Sequence, residues 1–223
     1  MTTPARPFAA LLFDMDGLMI DTEALSERVW RQTATEQGIP LSHAQLQMMV
    51  GLSTERCLQY LADTLPAGHD VQAFGQLARQ RYHQMLHQEE IPLKPGILHL
   101  LDWCTRENLP RAVGTATQRT LADLKLTRTG LQRYFAHTVA GDEVAHSKPA
   151  PDVYLKAAQL LGVTPADCIV LEDSPHGAQA ALAANMRVII VPDMAPPPAQ
   201  IAKQALAVCQ DLYAAQALLA ALA

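Results

Sequence analysis

Two carboxylates, Asp14 and Asp16, stand two residues apart in Phe13-Asp14-Met15-Asp16-Gly17, where a short apolar run ends. Alternate residues of an extended chain share a face, so both acids can enter one site. There Asp14 could attack phosphorus, while Asp16 protonates a leaving oxygen and later activates water. Gly17 lets the chain turn sharply behind them. Asp-x-Asp-Gly also suits a plain turn or the start of a calcium loop. Position 12 of such a loop, counted from Asp14, is Leu25, so the calcium reading lacks its closing carboxylate.

Three further groups follow short apolar runs. In Glu172-Asp173-Ser174-Pro175, Ser174 can cap the next helix and Pro175 suits its first turn. The acids are then either favourable charges near a helix N-terminus or ligands. For Glu172 both readings stay open. For Asp173 the second is preferred, because magnesium takes one or two carboxylates plus waters and phosphate oxygens, and Asp14 offers the other carboxylate. In Gly114-Thr115-Ala116-Thr117, the Thr115 hydroxyl and neighbouring backbone N–H groups could hold phosphoryl oxygens, although such a threonine is commonly a cap or turn residue. In Ser147-Lys148-Pro149, Lys148 could neutralise charge on the attacking carboxylate and on the phosphate. Phosphate-ester hydrolysis needs a nucleophile, an acid/base and positive charge on the equatorial oxygens. Asp14, Asp16, and Lys148 with magnesium fill those roles.

The elements that must position these residues are five runs read as buried strands: Phe8–Phe13, Arg111–Gly114, His137–Ala140, Cys168–Leu171 and Arg187–Val191. From residue 96 onward they alternate with helix-like segments, which predicts an α/β fold with a Rossmann-like parallel sheet covered on both faces. Ligands of such sheets bind beyond the strand C-termini, where each of the four motifs falls. Residues 22–90 break the alternation, with helical spacing in Ala24–Gln37 and Val71–Gln88. The expected organisation is a catalytic core of residues 1–19 and 93–223, with an all-helical cap inserted at residues 20–92. Two crossings, Leu18–Asp21 on the way out and Glu90–Gly96, marked by Pro92, Pro95 and Gly96, on the way back, would let that cap act as a lid. His83 and His87 have ligand spacing on a cap helix but no third ligand, and read as a solvated or packed face.

Composition bounds the partners. The chain is 49% hydrophobic and only 17% charged, with a formal net charge of −5, so it has no positive field for nucleic acid or anionic lipid. The expected partner is a small-molecule phosphate ester captured locally. The four cysteines show no metal-like spacing and read as buried or free thiols in a reducing compartment. The N-terminal apolar run is cut off by Asp14, unlike a signal peptide, and Leu212–Ala223 is too short to span a membrane, which takes about 20 apolar residues. The expected location is the cytoplasm. Nothing in the sequence demands more than a monomer, and a dimer is compatible with it.

Taken in order, Asp14-Met15-Asp16-Gly17 through Glu23, Thr115-Ala116-Thr117, Ser147-Lys148-Pro149 with Pro151, and Glu172-Asp173-Ser174 with Gly177 resemble the haloacid dehalogenase superfamily. The likeness is to its phosphatase and phosphomutase branch, with a helical cap after the first motif. The resemblance implies Asp14 as nucleophile and Asp16 as general acid/base, with the Asp16 backbone carbonyl on magnesium. It implies Asp173 as the partner carboxylate, Glu172 in the first or second coordination shell, and Thr115, Ala116, Thr117 and Lys148 around the phosphoryl group. Asp21, Thr22 and Glu23 would face the cleft, with Glu23 touching substrate, although Thr22 could equally cap the first cap helix. Asp16 argues against the dehalogenases and phosphonate hydrolases of the superfamily.

Beta-phosphoglucomutase is the nearest rival. Where it carries a histidine after the Asp-Thr step this chain has Ser26, and where it carries an arginine that holds a second phosphate this chain has Thr54. Hydrolysis is therefore preferred. Met48-Met49-Val50-Gly51-Leu52 is read as a specificity loop or as packing. A receiver-like signalling module would not keep a water-activating acid beside its phosphoaspartate. A dinucleotide enzyme would want G-x-G-x-x-G where this chain has Asp-Met-Asp-Gly.

Overall fold

The computed structural model describes residues 7–49, 54–66, 68–193 and 196–223. Among them, six strands form one parallel sheet in the order β3-β2-β1-β4-β5-β6. They are β1 (Ala10–Phe13), β2 (Arg111–Gly114), β3 (His137–Val139), β4 (Cys168–Glu172), β5 (Arg187–Ile190) and β6 (Ala207–Val208). Every residue of β1 and β4 is buried, as expected of central strands covered on both faces. The chain runs outward from β1 through β2 to β3, then resumes on the other side of β1 with β4, β5 and β6. The reversal point between β1 and β4 is where such sheets bind ligands. The Asp14 N–H donates to the Leu171 carbonyl across this point, which fixes the end of β1 beside the end of β4.

The chain divides into two compact units, residues 1–20 with 92–223, and residues 21–91. The boundaries fall one residue inside those read from the sequence, because Ile20 pairs with Leu93 and the Lys94 N–H donates to the Met19 carbonyl. In the sheet unit, Ala10, Leu12, Ala112, Val170 and Val188 pack with Tyr154, Ala157 and Ala158 of α7 (Asp152–Leu161) and with Ala178 and Ala181 of α8 (Pro175–Ala183). The alternate residues Leu11, Phe13, Val113, Ile169, Leu171 and Ile189 are buried as well. The unit is completed by α5 (Ile97–Arg106), α6 (Arg119–Arg128), α9 (Ala199–Ala202) and α10 (Leu212–Leu222), the last capped by Asp211. β6 has no counterpart in the sequence reading: it is two residues long, and Val208 is exposed at the sheet edge.

The second unit contains α1 (Thr22–Glu36), α2 (His43–Met49), α3 (Thr54–Thr64) and α4 (Val71–Gln88). Its own core comprises Ala34, Ile39, Met49, Cys57, Leu61 and Phe74, with the Trp30 and Phe74 rings 5.2 Å apart edge to face. Asp21 caps α1, so Thr22 is the first helical residue rather than the cap. His83 is half-buried and His87 exposed on α4. Among the described residues no helix is long and apolar enough to cross a membrane.

Helix α8 begins so close to the end of β4 that a Cβ added at Gly177 would lie 1.6 Å from Glu172 Oε1. Helix propensity alone favours alanine over glycine by about 1 kcal/mol. The contact reverses the sign: Gly177→Ala should destabilise the protein by about 1–3 kcal/mol, read as a lower midpoint in urea.

Candidate active site

The rim at the C-terminal ends of β2, β1, β4 and β5 carries the polar groups. Asp14 follows β1, Thr115 follows β2 and Asp173 follows β4. The turn after Asp14 is tight: the Met19 and Ile20 N–H groups both donate to the Met15 carbonyl, and the Gly17 N–H donates to the Ile20 carbonyl. Gly17 adopts φ +82°, a left-handed conformation costly for other residues. A Cβ there would also meet Asp173 Oδ2 at 2.2 Å.

Lys148 holds the centre. Its ammonium donates to Asp14 Oδ1 and to Glu172 Oε1, the latter at 2.7 Å, and lies 4.7 Å from the centroid of the Tyr154 ring. Glu172 is completely buried. Its Oε1 also accepts from the Tyr154 hydroxyl at 2.7 Å. Its Oε2 accepts from the Asp173 and Ser174 N–H groups at 3.0 Å and from the Ser174 hydroxyl at 3.1 Å. A carboxylate offers about four lone-pair sites, so these five donors leave it little capacity for anything else. The Ser174 hydroxyl in turn accepts from the Gly177 N–H at 3.1 Å, capping α8.

Asp16 is held from a different side. Its Oδ1 accepts from Lys125 Nζ and its Oδ2 from the Thr117 hydroxyl, both at 2.6 Å. Lys125 belongs to α6 and is 4% exposed. Arg119 anchors the start of that helix through Glu143, Asp123 and the Thr138 carbonyl. The sequence reading assigned Thr117 to phosphate and did not single out Lys125 or Tyr154. A signal for Lys125 existed: it shares the inward stripe of α6 with Ala122 and Leu126, where a lysine needs an acidic partner. The Thr117 side chain is committed to Asp16, and its N–H donates to Thr115 Oγ1 at 3.1 Å. The Thr115 N–H is used by the Val139 carbonyl, which leaves the buried Thr115 hydroxyl with its proton to donate. Ala116 lies between these two threonines, its carbonyl packed against Gly141. Glu23 belongs to the helical unit, in the first turn of α1. Val50, Gly51, Leu52 and the Thr54 side chain lie outside the described residues.

Asp14, Glu172 and Asp173 each present an oxygen within 4.8 Å of the others. Desolvation by burial pushes the Asp14 carboxyl up to about 7, against the opposing pull of Lys148. Burial, followed by the charges of Glu172 and Asp14, also raises Asp173 well above its ordinary value. Burial works against the charge on Glu172 too, yet Lys148 and the backbone donors keep it below its ordinary value. One ammonium cannot neutralise three carboxylates, and the surplus fits a divalent cation bound between Asp14 and Asp173.

The family profile described as haloacid dehalogenase-like hydrolase matches residues 11–191. The chain belongs to that family. This haloacid dehalogenase-like hydrolase is 36% identical over 184 residues to the fructose-1-phosphate phosphatase YqaB of Escherichia coli, covering 82% of this chain and 96% of that one. It is 32% identical to hexitol phosphatase B of Escherichia coli, covering 86% of each. Among solved structures it is similar to a HAD family hydrolase from Deinococcus radiodurans with bound phosphate and sodium. That match has a TM-score of 0.81 and 28% identity over 98% of this chain and 97% of that one.

Two outcomes follow from the charge arrangement of the hydrolase. Asp14 binds a proton in the folded state that the unfolded chain releases above its ordinary value of 3.8, so its contribution to metal-free stability falls as pH rises from about 4 to about 7. Metal-free Asp14→Asn should therefore melt above wild type at pH 8, with the gap closing at pH 4. Each kcal/mol is worth about 2–4 °C in a chain of this size. Lys125→Met keeps the aliphatic stem but removes the donor to Asp16 Oδ1, and kcat should drop about 10²-fold with KM little changed, measured by steady-state kinetics.

Proposed function

We propose that this HAD-like phosphoric monoester hydrolase cleaves small phosphate esters, phosphorylated sugars foremost, through a phosphoaspartate on Asp14 and with magnesium bound. The observation that carries the reading is the placement of Asp14 beside the buried Lys148 on the rim that also presents Asp16. Two relatives named above act on a fructose phosphate and on hexitol phosphates, which supports the sugar-phosphate class.

In the first step an Asp14 oxygen attacks phosphorus, the bond to the ester oxygen breaks, and Asp16 gives its proton to that leaving oxygen. In the second, Asp16 takes a proton from water as the water oxygen attacks phosphorus, releasing inorganic phosphate and restoring the Asp14 carboxylate. Lys148 keeps Asp14 aimed and offsets charge on the phosphoryl group, to which the Thr115 hydroxyl donates. Magnesium, when bound, supplies the remaining positive charge. Asp14, Asp173 and the Asp16 carbonyl would hold it, while Glu172, saturated by its five donors, positions Lys148 and the turn that carries Asp173. Residues 20–92 are read as a substrate-selecting cap with Glu23 as a contact. The enzyme is read as a cytoplasmic monomer. Thr54, in place of an arginine, gives that cap no charge at that position for a second phosphate, which favours hydrolysis over mutase chemistry.

The test is phosphate release from fructose 1-phosphate, hexitol phosphates, phosphoglycolate and nucleoside monophosphates, with magnesium or with EDTA. Release should need magnesium, and Asp14→Asn should lower it on the order of 10⁴-fold or more. If wild type releases no phosphate and instead converts glucose 1-phosphate to glucose 6-phosphate, the mutase reading replaces this one.

A further inference from the structure

The rim continues past Asp173 to the end of β5, where Asp193 stands two residues beyond Val191, whose N–H donates to the Glu172 carbonyl. The Asp193 side chain is 8% exposed. Its Oδ1 pairs with Lys94 Nζ, whereas its Oδ2 is buried and, among the described residues, has no hydrogen-bond partner in the protein. Leaving a buried charged acceptor unpaired is costly, so such an atom calls for a donor. Oδ2 lies on the side of Asp173, a member of the acidic cluster: a Cβ added at Gly17 would lie 2.2 Å from Asp173 Oδ2 and 3.4 Å from Asp193 Oδ2, so both oxygens crowd one point beside the Gly17 Cα. Asp193 is not among the carboxylates whose oxygens lie mutually within 4.8 Å, which places it one layer further out.

From this juxtaposition we infer that Asp193 is a positioning residue for the magnesium site, its Oδ2 accepting a hydrogen bond from a water bound to the cation. The inference rests on the magnesium-dependent reading above. Magnesium keeps several of its waters in protein sites, and those waters are strong donors. A carboxylate that orients one of them also adds negative charge without entering the coordination shell. Lys94 completes the arrangement by fixing Oδ1, so that the carboxylate presents its other oxygen. Because the Lys94 N–H also donates to the Met19 carbonyl, the same lysine ties the return crossing of the chain to the rim. Nothing in the short motifs marks Asp193, because the residue is brought in only by the pairing of β4 with β5.

The experiment is calorimetric titration of magnesium chloride into the full chain, as wild type, Asp193→Asn, Asp193→Ser and Lys94→Met, with circular dichroism confirming the fold. Both Asp193 variants should bind magnesium about tenfold more weakly or worse. Lys94→Met should lower the melting temperature and weaken magnesium binding clearly less than either Asp193 variant, because Oδ2 is then less well aimed but still present. Wild-type affinity in Asp193→Asn, or in Asp193→Ser if the former does not fold, would overturn the inference and leave the phosphatase reading intact. So would an equal loss of affinity in Lys94→Met, since the ion pair and not Oδ2 would then be responsible. If wild type itself binds no magnesium, both readings fall.

Discussion

The buried ammonium of Lys148 is the interaction on which the site depends. It donates to Asp14 and to Glu172, residues that follow or end neighbouring central strands, and without it two desolvated carboxylates would face each other. Removing the lysine from such a cluster is far more damaging than never having built it, because uncompensated buried carboxylates remain. Tyr154 and the backbone donors around Glu172 extend the same logic. They hold that carboxylate so firmly that it becomes a fixed anchor for the lysine. The cost is a surplus of acid, visible in the raised Asp14 and Asp173 carboxyls, and a cation is the natural counterweight.

Much of this was legible in the sequence. Asp14, Asp16, Thr115, Lys148 and Asp173 each follow an apolar run, and the alternation of runs and helices implied a parallel sheet whose strand ends share one rim. The central strands announced themselves because burial on both faces demands continuous apolar residues. β6 did not, because a two-residue edge strand is defined by its neighbour rather than by its own side chains. The same distinction explains the missed site residues. Lys125 and Tyr154 sit on the inward stripes of α6 and α7, where helical spacing says only that a residue faces the core. Which carboxylate each one meets is decided by pairings across 109 and 18 residues, which no local pattern encodes.

Thr117 shows how the fold gives a motif residue a task that its motif does not announce. The Thr115-Ala116-Thr117 turn does sit at the rim, yet the turn geometry directs the second hydroxyl to Asp16 and spends both threonine amides inside the fold. Motif reading gives residue types and order. It does not show which donors the fold has already used. The buried cysteines make a similar point: desolvation pushes Cys104 up to about 12 and Cys168 up to about 11, so thiols that composition alone leaves open are chemically quiet.

The pairing of β1 has a consequence for how the protein is made. Leu11 finds its neighbours at Arg111 on one side and Ile169 on the other. Synthesis runs from the N-terminus, so β1, which leads into Asp14, leaves the ribosome before both of its partners and waits while the whole of residues 21–91 emerges. Contacts this distant in sequence are slow to form, because a long loop must close before any of them stabilises the chain. A nascent chain therefore holds an apolar β1 without its neighbours until β2 and then β4 have been made. Catalytic competence can arrive only after β4 has docked, which makes activity itself a report that the sheet has closed around its first strand.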